Sequence, residues 1–414
     1  MNKYILKIAV ALLVAVSFSA CSDDDDKNGG GTPVVRYVRP CDVVSSDSLL
    51  VKAYLGDRIA IIGENLGGVT EIYFNDQKAK LNPNFVTDNA IIVSIPSTIP
   101  GEKQDIITLK TSATSVDYDF ETLVPVPLVS SMTCEYVSDG DIAYIQGYYF
   151  VHEDANPLTV TFPGELKGEV ISYDVNNIAV KVPEGAQSGP LTVTSVYGTG
   201  ESSLHFRDDR NIILDFDTTF PDGGYNHGWH KGSGVGTEDG ISGQYLIFKG
   251  AMSDDTWDDT NFGYERWTYR QDDPDFFDAT ALDKYELKFE VNVTAAWSAA
   301  ALQVIFTGAE EAWMNWQETS DGGNPNNAYT SDASYPRALW MPWVDATNST
   351  YVTGGWITVT IPMTEFKYNK DGGTVQVKPA GHYSGITLFV NGGGVTGTEC
   401  NPEFHIDNVR VVEK

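Results

Sequence analysis

Apolar and polar positions alternate in short runs along most of this chain. “RIAIIG” (58–63), “EIYF” (71–74), “IIVSIP” (91–96), “DIITLKT” (105–111), “LTVTF” (158–162), “LTVTSVYG” (191–198) and “GWITVTIP” (355–362) are examples. A period of two is the signature of strands with one buried face, and no long segment holds apolar residues at helical spacing. Nineteen prolines and 39 glycines punctuate the runs. The pattern predicts an all-β protein.

The strands repeat. “GDRIAIIGENLG” (56–67) aligns with “GDIAYIQGYYF” (140–150), “EIYFND” (71–76) with “TVTFPG” (159–164), “IIVSIP” with “IAVKVP” (178–183), and “IITLKT” (106–111) with “LTVTSV” (191–196). Each unit is roughly 90 residues long, the size of an immunoglobulin-like sandwich. Gly63 and Gly147 follow the first apolar run of each unit and suit a sharp bend or bulge. The expected domains are 34–124 and 125–207, joined through the proline-studded “LVPVPLV” (123–129), and a larger unit over 208–414. The last part is large enough for one two-sheet sandwich. Its strands are “NIILDFD” (211–217), “YELKFEVNV” (285–293), “ALQVIF” (301–306), “GITLFVN” (385–391) and “FHIDNVRVV” (404–412).

All nine tryptophans fall in this last part, between Trp229 and Trp356. Most stand amid polar side chains, as in “SDDTWDDTNFGYERWTYR” (253–270), “EEAWMNWQE” (310–318) and “RALWMPWVD” (337–345). An indole offers a large apolar face and one N–H donor. A pyranose offers a face of C–H groups and a rim of hydroxyls. Stacking the two buries apolar area while neighbouring Asp, Asn, Gln, Tyr or Arg bond the hydroxyls. The composition therefore points to capture of a neutral glycan. The candidate contacts are Trp257 and Trp267 with Tyr264 and Arg266 between them, then Trp297, Trp313, Trp316, Trp340 and Trp343. Trp340 and Trp343 flank Pro342 and suit a structural corner as readily as a platform. Trp356 heads a strand and is expected to fill the core. Trp229, between histidines and glycines, fits either role.

Charge narrows the partners. With 27 basic and 57 acidic residues the net charge is −30, which repels phosphate backbones and excludes nucleic acid as the expected partner. The start of the chain sets location. Lys3 and Lys7, the apolar run Ile8–Val16 and small residues ahead of Cys21 form a secretory signal over 1–20. Residues 21–33, with four consecutive aspartates and three glycines, form an acidic flexible tether. Of the remaining cysteines, Cys41, Cys134 and Cys400 have no zinc spacing.

Three resemblances sharpen these expectations. “SFSAC” resembles the lipobox of bacterial lipoproteins, which implies acylation of Cys21. Gly56, Gly63, Asn65, Leu66, Phe74 and “SIP” (94–96) resemble the IPT/TIG family of immunoglobulin-like domains; the second unit departs from it at Tyr149 and Phe150. The whole layout resembles the surface glycan-binding lipoproteins that accompany outer-membrane polysaccharide transporters. That resemblance implies two IPT/TIG-like sandwiches followed by a carbohydrate-binding-module-like β-sandwich. It also implies non-catalytic capture of a β-glucan or xyloglucan-type polysaccharide by a lipid-anchored protein facing the exterior from the outer membrane. Its partners would be a transporter and a second glycan-binding lipoprotein. Resemblance to other carbohydrate-binding sandwiches implies a structural calcium, with Asp215, Asp217 and Asp407 as ligands; otherwise these are solvated acidic positions. Two other readings stay open. An adhesin would use the same aromatic loops against a protein, and a glycoside hydrolase would need a carboxylate pair that sequence cannot place.

Overall fold

The computed structural model describes residues 31–414 apart from 43, 46, 219–223, 226–232, 254–262, 267–273, 308–335, 370–371 and 378–382; for 224–225, 233–234, 263–266 and 307 it describes backbone only. The described residues are strands, turns and short 3-10 segments, so the chain is all-β as expected.

The chain divides after Pro125. In the first unit, Val34–Pro40, Arg58–Glu64 and Ala90–Ser94 form a three-stranded sheet. A four-stranded sheet runs in the order Gln77–Lys78, Glu71–Phe74, Ile106–Lys110, Ser115–Asp119. Alternate residues of the two sheets, among them Ile59, Ile61, Ile72, Phe74, Ile107 and Leu109, make the core.

The second unit holds two cores. The first belongs to the second sequence repeat. Its sheets are Leu128–Met132, Ile142–Tyr148, Asn177–Lys181, Glu169–Tyr173 and Leu166–Lys167, Thr159–Phe162, Gly189–Ser195, Gly198–Phe206. Phe162 and Phe206 meet edge to face at 4.9 Å in its centre. The repeat glycines have the same task in both units. A Cβ on Gly63 would lie 2.0 Å from the Val34 carbonyl oxygen, and one on Gly147 2.0 Å from that of Leu128. Each contact adjoins a register shift in the partner strand, after Val35 and after Val129. The bulge brings backbone so close that only glycine fits.

The other core is that of the C-terminal sandwich. One sheet runs Ser233–Gly236, Tyr245–Lys249, Glu403–Glu413, Tyr285–Ala295, Ile357–Pro362, with Ile212–Leu214 also paired to Glu403–Glu413. The facing sheet has five strands in the order Gly224–Tyr225, Gly263–Arg266, Gly385–Asn391, Ala301–Thr307, Arg337–Trp340. Leu287, Phe289, Val291, Val293, Ile406 and Val411 face Leu302, Val304, Phe306, Ile386, Leu388 and Val390 between them. Each such side chain contributes about 1.5–3 kcal/mol by leaving water.

The residues alternating with the first of those rows would be solvent-facing in a free sandwich, but Lys288, Glu290 and Arg410 are buried. The second immunoglobulin-like domain covers them. Thr358 donates its backbone N–H to the Thr133 carbonyl at 2.9 Å, and the Glu135 N–H donates to the Thr358 hydroxyl at 2.7 Å. Beneath, Lys288 Nζ bonds Glu135 at 2.7 Å, while Arg410 bonds Glu135 at 2.6 Å and Glu290 at 2.8 Å. Two carboxylates thus meet two cations. Burial pushes the Glu290 carboxyl up, against the opposing pull of Arg410. The Arg410 guanidinium also lies over the Tyr136 ring, whose hydroxyl donates to the Asp208 carbonyl at 2.7 Å.

Candidate functional site

With one face of the sandwich occupied by the neighbouring domain, the five-stranded sheet offers the other. Register places Ile305 opposite Thr387 and Arg337, and Gln303 opposite Phe389 and Leu339. These residues alternate with the core positions, so they line the sheet's outer side. Three are polar and buried: Gln303, Arg337 and Thr387. Arg337 Nη1 donates to Gln303 Oε1 at 2.8 Å, and Gln303 Nε2 donates to the Asn391 carbonyl at 2.7 Å. The buried Thr387 hydroxyl has no hydrogen-bond partner among the described residues. A guanidinium, an amide and a hydroxyl thus form a buried polar layer on the outer side of the sheet.

The aromatic segments attach to this same sheet. Residues 226–232, with Trp229, follow the strand Gly224–Tyr225; 254–262, with Trp257, and 267–273, with Trp267, flank Gly263–Arg266; and 308–335, with Trp313 and Trp316, joins Ala301–Thr307 to Arg337–Trp340. These five tryptophans lie outside the described residues. Tyr264 and Arg266 stand on the strand Gly263–Arg266, opposite Leu388 and Ile386. The strand order therefore gathers to one sheet the segments that bear most of the expected platforms.

The other tryptophans part company with expectation. Trp297 is 0 % exposed, packs edge to face on Phe404 at 4.5 Å and donates its indole N–H to the Ala299 carbonyl. Trp343 is 3 % exposed and donates to the Ala300 carbonyl at 2.8 Å. A ring with no open face cannot carry a sugar, so the expected contact role of these two is corrected. The small residues Ser298–Ala301 let both indoles sink into the core. Trp340 is half-buried, against Phe289 at 5.6 Å and Trp297 at 5.4 Å. It belongs to the same structural corner. Trp356 errs the other way: expected in the core, it is half-exposed, its N–H held by the Asp239 carbonyl at 3.0 Å.

The three carboxylates expected to hold calcium make hydrogen bonds within the chain. Among the described residues no three His, Cys, Asp or Glu side chains are placed to share a metal ion. Asp215 instead caps its own turn, accepting from the Asp217 N–H at 3.0 Å and the Thr218 hydroxyl at 2.6 Å. Asp217 accepts from the Gln244 N–H at 3.1 Å. Asp407 accepts from the Ser242 hydroxyl and the Asn408 N–H, each at 2.8 Å, and burial pushes its carboxyl up to about 7. The nearby Asp217 carboxylate adds to the upward push on Asp407.

The polar layer was missed in the sequence, where Gln303 stands inside the apolar run “ALQVIF” and Arg337 at the edge of a tryptophan-rich stretch. A lone polar residue within a strand is the signal that was there to be used.

These features define a modular all-β protein ending in a sandwich of the carbohydrate-binding type. The chain belongs to the surface glycan-binding protein B family: residues 206–413 match that family's xyloglucan binding domain, and residues 47–122 match the IPT/TIG domain. The crystal structure of the surface glycan-binding protein PbSGBP-B from Prevotella bryantii is similar to it at 30 % identity and a TM-score of 0.77, over 92 % of this chain and 99 % of that one. An IPT/TIG domain-containing protein of Bacteroides ovatus is 28 % identical over 232 residues, or 52 % of this chain. The match covers 47 % of that relative, so the chain spans about half its length.

Proposed function

We propose that this protein captures a neutral plant β-glucan of the xyloglucan type at the bacterial cell surface, without cleaving it. The observation that carries this reading is the family match over residues 206–413, which falls on the sandwich whose aromatic segments join a single sheet. Tryptophan rings in those segments stack on the glucan backbone, and Trp257, Trp267, Trp313 and Trp316 are the residues assigned to contact; Tyr264 and Arg266, in register with the core positions Leu388 and Ile386, are not. The buried polar residues Gln303, Arg337 and Thr387 order the sheet beneath. Acylated Cys21 anchors the chain to the outer face of the outer membrane, and 34–207 lift the sandwich from it. The captured polymer passes to an outer-membrane transporter, working with a second glycan-binding lipoprotein.

Affinity electrophoresis of the mature chain through xyloglucan, mixed-linkage β-glucan, xylan and mannan tests this. Retardation is expected in xyloglucan or mixed-linkage β-glucan, with no reducing ends released on long incubation. Unretarded migration in all four overturns the reading and favours an adhesin; released reducing ends overturn its non-catalytic part.

A further inference from the structure

The junction between the second immunoglobulin-like domain and the sandwich holds two recesses of about 350 Å³ each, and they differ in chemistry. One is walled by Ser130, Glu135, Arg210, Glu286, Lys288 and Glu413 and contains no aromatic ring. The other is walled by Tyr136, Ile142 and Tyr144 from the immunoglobulin-like domain and Ile241, Gly354 and Trp356 from the sandwich.

In this second recess the rings come from both sides. Trp356 is fixed in direction by its N–H bond to Asp239 and backed by Tyr245 at 5.4 Å and His405 at 6.1 Å. Tyr144 is 55 % exposed on the strand Ile142–Tyr148, and its hydroxyl has no partner among the described residues. The Ser138 hydroxyl and the Asp141 carboxylate stand at the recess and likewise make no side-chain hydrogen bond among the described residues. A Cβ added to Gly354 would meet nothing within 4 Å, so the sandwich side is bare backbone there. The first repeat lacks this arrangement, with Arg58 and the buried Ala60 at the positions of Ile142 and Tyr144.

We infer that the recess between Tyr144 and Trp356 is a second saccharide subsite, for one or two rings of a neutral glycan, separate from the five-stranded sheet. The size is that of a small-ligand site. Two aromatic walls supply stacking, and a free hydroxyl, a carboxylate and a phenol supply bonds to sugar hydroxyls. Anionic ligands are disfavoured by Asp141 and the net charge of −30. The inference rests on the proposed function, because a captured polymer is the saccharide at hand.

The probe is a xyloglucan heptasaccharide, titrated calorimetrically into the mature chain. Two binding events are expected, of which the weaker disappears in Trp356→Ala and in Tyr144→Ala while the stronger keeps its affinity within twofold. Tyr144 is exposed, so its variant keeps the fold, and unchanged melting temperature checks both. A single event in the wild type, or a weaker event surviving both substitutions, overturns this inference and leaves the proposed function standing. No binding of heptasaccharide or polymer overturns both.

Discussion

Arg410 and Glu135 meet at 2.6 Å across 275 residues of sequence, in an ion pair in which both side chains are almost wholly buried. The pair joins the last strand of the sandwich to the domain before it. Removing one partner of such a pair strands the other, whereas removing both charges together costs far less. Arg410→Met leaves Glu135 and Glu290 facing each other with only Lys288 for compensation. A loss of about 3–5 kcal/mol is expected from urea denaturation of the mature chain. The double change of Arg410→Met with Glu290→Gln, which keeps the Lys288–Glu135 pair, is expected to recover more than half of it.

The same junction fixes where the sandwich can be cut. A fragment of residues 208–414 alone uncovers Lys288, Glu290 and Arg410 and loses the Tyr136 ring. It is expected to melt well below a 126–414 fragment, which should unfold in one transition. Calorimetric melting of the two fragments decides the point, and equal melting temperatures would show the junction to be energetically idle.

Trp297 and Trp267 are expected to give different phenotypes when replaced. Trp297→Ala removes a fully buried ring and is expected to cost about 3–5 kcal/mol of stability. Trp267→Ala is expected to leave the melting temperature unchanged and to weaken xyloglucan binding at least about tenfold, or about 1.4 kcal/mol. Melting and calorimetry on both variants separate a folding residue from a contact residue.

Asp407 makes stability depend on pH. Its carboxyl is pushed up to about 7 in the folded chain, from 3.8 when unfolded, so the native state holds the proton more tightly. Stability is then greatest below the unfolded value, declines as pH rises toward 7 and levels off above it, with an upper bound of about 4 kcal/mol. Asp407→Asn keeps the shape and removes the titrating proton. Urea midpoints taken at about pH 5 and about pH 8 are expected to differ less in Asp407→Asn than in the wild type.

How far the sequence could be read follows from what each residue touches. The bulge glycines and the alternation in “YELKFEVNV” depend on contacts within one sheet, and local pattern carries them. Lys288 and Glu290 occupy the polar positions of that same alternation and look like a solvated face. Their burial depends on a domain more than 150 residues earlier in the chain, as the Lys288–Glu135 separation of 153 shows, and no local pattern encodes it. Trp297 and Trp356 were misread for a similar reason. An indole beside alanines can lie open or pack closely on a sheet and an indole leading a strand looks buried, yet Phe404 and the Asp239 carbonyl, both remote in sequence, decide each case. The Gln303–Arg337 pair was equally illegible, since its meaning lies in which strands become neighbours.

The strand Glu403–Glu413 is hydrogen-bonded along both edges, to Tyr245–Lys249 and Ile212–Leu214 on one and Tyr285–Ala295 on the other, and it also carries Arg410. Tension applied to the sandwich, as when a long polymer is dragged by flow, must shear many of these bonds together before the strand slips. Slippage would also have to break the Arg410–Glu135 pair, so this last strand helps to hold the sandwich and the preceding domain as one piece.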